Sequence, residues 1–495
     1  MLHIAIRADA SASLGTGHLK RCLSLAQALA GCGVEPVLLS RALDQVGPAL
    51  LKDQPFAVRW LPGHDADAAE SAEALRDAPP AWTVVDHYGL DHRWHEEVRA
   101  RTGCRIAVIA DLADRPLAPD LLIDQNDPEA ARTYASRLAR ISNFLAGPEF
   151  ALLDPVYAGA PRYRFHPQVR SIGIFMGGTD PQGHCLQALR ACREGVGFAG
   201  PIEVVCSLAS PHHEALAQAC ANWPGTTLAA GFPVLAEFFA RHDLQIGAGG
   251  GAAWERCCIG VPSVACMVAP NQVATLPRLA RLGVLAWARE EGGLEASIAA
   301  RVSELILDSQ ARYGFADAAS RLVDGQGSLR VAAVLACAAG APMSARLAVA
   351  GDESLLLNWE NDPVVRAGAF TAGAVLPQQH AEWFKARLAD PLGCRIFILE
   401  APNRLPLGQV RFEKRLGIWE IGYSLTRACR GFGLAARLLG GALDSLLPEP
   451  GGSTVRGRVK LENDRSAKVF RRLGFAESLA HDERGAHRAF SLDRQ

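Results

Sequence analysis

Charge of one sign is missing from this chain. Lys and Arg number 51 against 52 Asp and Glu, a formal net charge of −1, so no sequence-wide positive excess exists to hold a polyphosphate backbone, and no nucleic-acid partner is expected. Cysteine is sparse: thirteen in 495 residues, odd in number, with no CxxC pair and no Cys/His ligand spacing. That excludes a disulfide scaffold, points to a reducing compartment and predicts no metal site. Long apolar runs are lacking too. The longest uncharged one, Val331 to Met343, is shorter than the roughly 20 residues that span a bilayer. The start, MLHIAIRAD, has no basic segment followed by an export-type apolar region. A cytoplasmic protein without a membrane span is expected. Internal repeats are absent, and 47 Gly with 29 Pro stay below the level of low complexity. What is present is 49% hydrophobic and 21% charged, a globular composition long enough for about three domains.

Residues 1–155 alternate short apolar runs (HIAIRA, VEPVLLS, WTVVDHY, CRIAVIAD, LLIDQN) with helical stretches, the grammar of a parallel sheet with crossover helices. After PVYAGAPRYRFHPQVR the grammar restarts over 156–340 with SIGIFMGG, PIEVVCS, TTLAAG, DLQIGAGG and PSVACMV. Two doubly wound α/β domains with a cleft between them are predicted, with ligands beyond the carboxyl ends of the strands. From about 345 to 495, RIFILE, LGQVRFE and GIWEIGYSL follow one another closely, then a helix ARLLGGALDSLL and a strand TVRGRVKLE. That is an α+β unit, joined through Gly340–Ser344.

The chemistry-bearing residues cluster at strand ends. DASASLGTGHLKR carries Gly15, Gly17, His18 and Arg21 between a strand and a helix. The glycines allow close backbone approach, the helix start presents N–H groups to an anion, and a cleft imidazole suits a general base for water. Capping or packing is the plainer role for His18. Asp86 and Tyr88 in VVDHYGLD could orient a sugar or the base, though Tyr88 could equally cap the core; DQN, Asp124 to Asn126, is a turn or a ligand loop. His3, His64 and His95 read as surface residues. In FMGGTD, Met176, Gly177, Gly178 and Thr179 suit a diphosphate held by backbone amides. Gly249, Gly250 and Gly251 open a second anion-binding helix start, with Glu255 placed to accept from ribose hydroxyls or simply to favour the helix N-terminus. Asn271 and Gln272 offer amides at a further strand end.

Taken in order, RADASASLGTGHLKRCLSLA, VVDHYGLD, DQN, GPEFALL, FMGGTDP and GAGGGAAWERCCIGVPS with NQ resemble the UDP-sugar hydrolase family of pseudaminic-acid biosynthesis, over about residues 1–335. That family is similar in fold to the two-domain (GT-B-like) glycosyltransferase that makes lipid II. The resemblance implies hydrolysis of UDP-2,4-diacetamido-2,4,6-trideoxy-β-L-altropyranose to UDP and free sugar, with His18 as the base.

In the third region, ACRGFGLAARLL holds Arg430, Gly431, Gly433 and Ala435, and LENDRSAKVFRRLGF holds Asn463 and Ser466. Together they resemble the GNAT acyltransferases over about 345–495, which implies acetyl-CoA as co-substrate, its pyrophosphate gripped by the loop and helix start. Many members of that superfamily have a tyrosine where this chain has Phe470, which cannot protonate a departing thiolate. Glu420 and Glu462 are candidate bases, and Glu462 reads better as a surface residue. LNWENDPVVRAGAF with HAEWF resembles acyltransferases acting on nucleotide-linked amino sugars, so Trp359, Asn361, Asp362, Arg366, His380 and Trp383 either shape an acceptor pocket or pack a helix pair. The combined expectation is a bifunctional enzyme that N-acetylates a UDP-4-amino sugar and hydrolyses the product. A UDP-sugar glycosyltransferase fused to an acyltransferase, and a nucleotide-sensing regulatory module, stay open beside it, as does the oligomeric state.

Overall fold

A computed structural model describes the whole chain except residues 1, 64–66, 141, 179, 209, 233, 372, 447–452, 483–484 and 495. The chain divides into two compact units, residues 1–30 with 34–332, and 31–33 with 333–495.

The first unit holds two parallel sheets. One contains β1 (Leu2–Ala8), β2 (Val34–Ser40), β3 (Ala57–Trp60), β4 (Trp82–Asp86), β5 (Arg105–Ile109), β6 (Leu121–Asp124) and β7 (Asn143–Ala146), in the order β3-β2-β1-β4-β5-β6-β7. The other contains β8 (Ile172–Phe175), β9 (Ile202–Val205), β10 (Thr226–Ala229), β11 (Leu244–Ala248), β12 (Ser263–Cys266) and β13 (Ala286–Ala288), in the order β10-β9-β8-β11-β12-β13. Helices cover both faces of such a sheet, so its central strands are apolar without alternation. Ile4, Ala5 and Ile6 of β1 and Ile172 and Ile174 of β8 are fully buried. In each sheet the strand order reverses at one place, between β1 and β4 and between β8 and β11, and an open sheet forms its crevice there. The GxGH, VVDHYGLD, FMGG and GAGGG motifs leave from these four strands, while DQN and Asn271–Gln272 follow β6 and β12.

After β13, the helices Leu294–Leu307 and Ser309–Leu322 belong to the first unit, and the helix Gly327–Ala339 begins in it and ends in the second. The last returns to the segment between the sheets: a Cβ on Gly327 would lie 2.2 Å from the Ala151 carbonyl oxygen, and Ser328 Oγ donates to Leu153 O at 2.7 Å. The apolar run read in the sequence is core, because Val331 to Cys337 are all buried.

The second unit carries one mixed sheet of β14 (Ser344–Leu347), β15 (Cys394–Glu400), β16 (Pro406–Arg415), β17 (Ile418–Leu425), β18 (Ser453–Lys460), β19 (Ala476–Asp482) and β20 (Gly485–Arg494), in the order β14-β15-β16-β17-β18-β20-β19. Its pairs are antiparallel except β17 with β18, which run parallel. The helix Leu434–Ser445 buries Leu434, Leu438, Leu439 and Ala442.

Candidate functional site

His18 is the second residue of the helix Gly17–Ala30, which follows β1, and Asp86 is the last residue of β4. Because β1 and β4 are neighbours, residues far apart in sequence meet: His18 Nδ1 lies 2.6 Å from Asp86 Oδ1. Arg21, one turn along the helix, donates from Nε to Asp86 Oδ2 at 2.5 Å and from Nη2 to Oδ1 at 2.6 Å, and from Nη1 to Asp111 Oδ1 at 2.9 Å. Burial pushes the Asp86 carboxyl up, but the Arg21 guanidinium and His18 outweigh it and hold the group well below the usual carboxylate range. An ionised Asp86 can only accept in this contact, so Nδ1 carries the hydrogen and, in the neutral ring, Nε2 is the nitrogen with the free lone pair. Arg21 Nη2 also lies 3.2 Å from Nδ1; both are then donors, and the shorter contact to Asp86 fixes the ring.

Tyr88 completes the cluster. Its ring stands edge-on to His18 at 4.6 Å, and its hydroxyl donates to Asp111 Oδ2 at 3.1 Å while accepting from Asn271 Nδ2 at 2.9 Å. Asn271 is thus tied to the His18 cluster. Asp111, two residues beyond β5, was not legible as a site residue, yet it collects Arg21, Tyr88 and the Asn126 amide at 2.9 Å. Of the DQN turn, Asn126 accepts from Trp254 Nε1 at 3.0 Å, and Arg278 pairs with Asp127 at 2.9 Å, so the two sheets' loops are joined here.

The glycine loops face this cluster. Gly15 and Gly177 hold φ of +78° and +109°, conformations that favour glycine. A Cβ on Gly178 would lie 2.6 Å from Thr16 Oγ1, so the loop after β8 runs against the GxGH loop. Thr179 lies outside the described residues. Met176 contributes only backbone, because its side chain is in the core beside Cys266. Gly250 caps the helix Gly251–Ile259, and the leucine side chain of Leu276 fills the space beside Gly249. Glu255 is half-buried in that helix, and burial pushes its carboxyl up against the opposing charges of Lys20 and Arg256. Gln272 is buried and accepts from Val268 N at 3.0 Å, so its oxygen shapes the loop.

Other expectations are corrected. His95 is fully buried, with Nδ1 accepting from Ala118 N at 3.1 Å, because it shares the inner helix face with Trp94 and Val98. His3 is half-buried beside Glu35, and His64 lies outside the described residues. Asp180, Cys185 and Cys206 bring one donor atom each within 4.8 Å of one another, but both Asp180 oxygens already accept backbone N–H groups, from His184 and Cys185.

In the second unit, Gly431 and Gly433 take φ of +88° and +73°, and Gly433 caps the Leu434–Ser445 helix that contains Ala435. Arg430 does not project as a free cation: it donates to Leu425 O at 2.9 Å and pairs with Asp362 at 2.9 Å. Any anion held here meets the loop's backbone. Asn463 caps the helix Asp464–Arg472, its oxygen accepting from Ser466 N at 3.1 Å. Glu420 is ion-paired with Arg458 at 3.0 Å and Arg415 at 3.5 Å, which ties up the carboxylate expected to serve as a base. In the expected acceptor region, Asn361 exchanges hydrogen bonds with Val375, Asp362 caps the following helix, Arg366 binds Glu360, and buried His380 packs against Trp383 and Phe384. The packed helix pair is the better description of those residues.

The family model described as an acetyltransferase (GNAT) domain matches residues 346–476. The spore coat polysaccharide biosynthesis protein SpsG of Bacillus subtilis is 24% identical over 342 residues, covering 68% of this chain and 98% of that protein. The crystal structure of MurG from Acinetobacter baumannii matches with a TM-score of 0.50 at 13% identity, over 68% of this chain and 99% of that one. The chain thus joins a two-domain, GT-B-like α/β unit, similar in sequence to a polysaccharide biosynthesis protein, to a GNAT acetyltransferase domain.

Proposed function

We propose that the first unit hydrolyses a UDP-linked amino sugar and that the second acetylates the amine of its precursor with acetyl-CoA. The observation that carries the first half is the 2.6 Å contact of His18 with ionised Asp86, set opposite the Gly177–Gly178 loop. In this reading His18 Nε2 takes a proton from water, whose oxygen bonds to the anomeric carbon. The bond to the diphosphate breaks, and the leaving charge is held by the amides of the loops after β8 and β11. Glu255, half-buried in that helix, accepts from the ribose. The acetyl-CoA pyrophosphate sits at the Gly431–Gly433 loop and the helix start behind it. Acetylation of the 4-amine of UDP-4-amino-4,6-dideoxy-N-acetyl-β-L-altrosamine gives UDP-2,4-diacetamido-2,4,6-trideoxy-β-L-altropyranose, the molecule the first unit consumes, so both steps belong to pseudaminic-acid synthesis in the cytoplasm.

The test supplies the full chain with acetyl-CoA and candidate UDP-amino sugars and follows acetylation and UDP release by NMR. Free sugar forming without any acceptor supports hydrolysis over glycosyl transfer. His18→Asn should lower UDP release by about 100-fold or more while UDP still binds; normal turnover by that variant refutes the assignment.

A further inference from the structure

Breaking a thioester expels a thiolate, and near neutral pH few side chains hold a proton ready for it. Phe470 holds none: its buried ring is stacked on Phe490 at 5.0 Å and stands edge-on to Phe475 at 5.0 Å. The chain has six tyrosines, and Tyr423 is the only one after Tyr313.

Three observations give Tyr423 its place. β17 and β18 pair only at Trp419↔Val455, Glu420↔Arg456 and Ile421↔Gly457, so Tyr423 follows directly where the two strands part. The floor of that wedge is apolar, since the Phe470 ring presses on Gly457, where a Cβ would lie 2.6 Å from it, and Tyr423 stands edge-on to Phe470 at 6.0 Å. Above the floor, the Tyr423 hydroxyl lies 2.9 Å from Ser466 Oγ, one turn before Phe470 on the same helix. When Ser466 donates in that contact, the phenol hydrogen is directed elsewhere. Burial pushes the Tyr423 phenol up from its ordinary value, so it keeps its proton at neutral pH.

We propose that Tyr423 protonates the thiolate leaving the acyl donor and that Ser466 returns the proton to it. The role rests on the acetyl-transfer reading. The amine lone pair bonds to the carbonyl carbon, the C–S bond breaks, and its electron pair goes to sulfur, which takes the Tyr423 proton. The proton given up by the amine returns to the phenolate through Ser466. The amine loses one hydrogen, the sulfur gains one, and the tyrosine ends unchanged.

The experiment measures thiol release by the full chain from acetyl-CoA with a panel of primary amines that includes the UDP-4-amino sugar. Tyr423→Phe should lower kcat by about 100-fold with the KM for acetyl-CoA within about twofold. The deficit should shrink to about threefold when p-nitrophenyl acetate is the donor, because p-nitrophenolate departs without a proton at neutral pH. Wild-type kcat in Tyr423→Phe overturns the assignment and leaves acetyl transfer standing. An equal loss with both donors also overturns it, making Tyr423 a packing residue. No thiol release by the wild type with any amine overturns the acetyl-transfer reading and this role with it.

Discussion

Asn271 and Tyr88 belong to loops of different sheets, yet the amide of one donates to the hydroxyl of the other at 2.9 Å, and that hydroxyl's ring stands against His18. The second Rossmann domain therefore braces the His18 cluster carried by the first.

Asn271→Ala removes the brace without touching the glycine loops. The kcat for UDP release should fall about tenfold, the worth of a hydrogen bond of about 1.4 kcal/mol, with UDP affinity within about twofold by calorimetry. An unchanged kcat would show that Tyr88 holds its position through Asp111 alone.

Glu420 is paired with Arg458 and Arg415. Glu420→Gln should leave acetyl transfer within about threefold, and any loss of stability, read from thermal melting, should be no more than about 1 kcal/mol, as for a part-exposed ion pair. A loss of 100-fold in kcat would restore Glu420 as the base.

Two buried groups give the first unit opposite responses to pH. Burial, reinforced by Arg115 and Arg99, drives His95 down to about 3, below its unfolded value of about 6.5. Its contribution is intact above that value and is lost as pH falls. Burial, reinforced by the charge of Asp111, pushes Asp124 up to about 7, above its unfolded value of about 3.9. Its contribution is present below that value and is lost as pH rises to 7. His95→Gln should therefore gain about 2 kcal/mol on wild type between pH 7.5 and 5, and Asp124→Asn about 2–3 kcal/mol between pH 5 and 8. Denaturant unfolding at those pH values measures both. Parallel pH profiles for wild type and variants would remove both groups from the account.

Gly457 lies under the Phe470 ring, where a Cβ would come within 2.6 Å. Gly457→Ala should cost the acetyltransferase unit about 1–3 kcal/mol through overpacking, read from thermal melting. Phe470→Leu added to the Gly457→Ala variant should return part of the loss; no recovery would place the strain elsewhere.

The central strands were legible because parallel sheets bury both faces, so the IAI of β1 and the IGIF of β8 are apolar without alternation. Strands β3, β7 and β13 were missed because AVRW, NFLA and AWA are short, and β19 and β20 because AESLAHD and GAHRAFSLDR are polar and charged. His95 was misjudged because HRWHEEVRART is charged almost throughout, and only the spacing of Trp94 and Val98 marks its inner face. Glycines at strand ends disclosed the loops, since backbone freedom is a local property. Asp111 and the pairing of Glu420 stayed hidden because Arg21 lies 90 residues from Asp111 and Arg458 lies 38 from Glu420, distances that only folding closes.

The two crevices of the first unit draw on separate loops, with His18 after β1, Asp86 at the end of β4 and Asp111 beyond β5 in one, and glycine loops after β8 and β11 in the other. In the proposed function, the sugar and its carrier would fall to separate stretches of the sequence, and a change of sugar would call for new loops after β1, β4 and β5 with the glycine loops left as they stand.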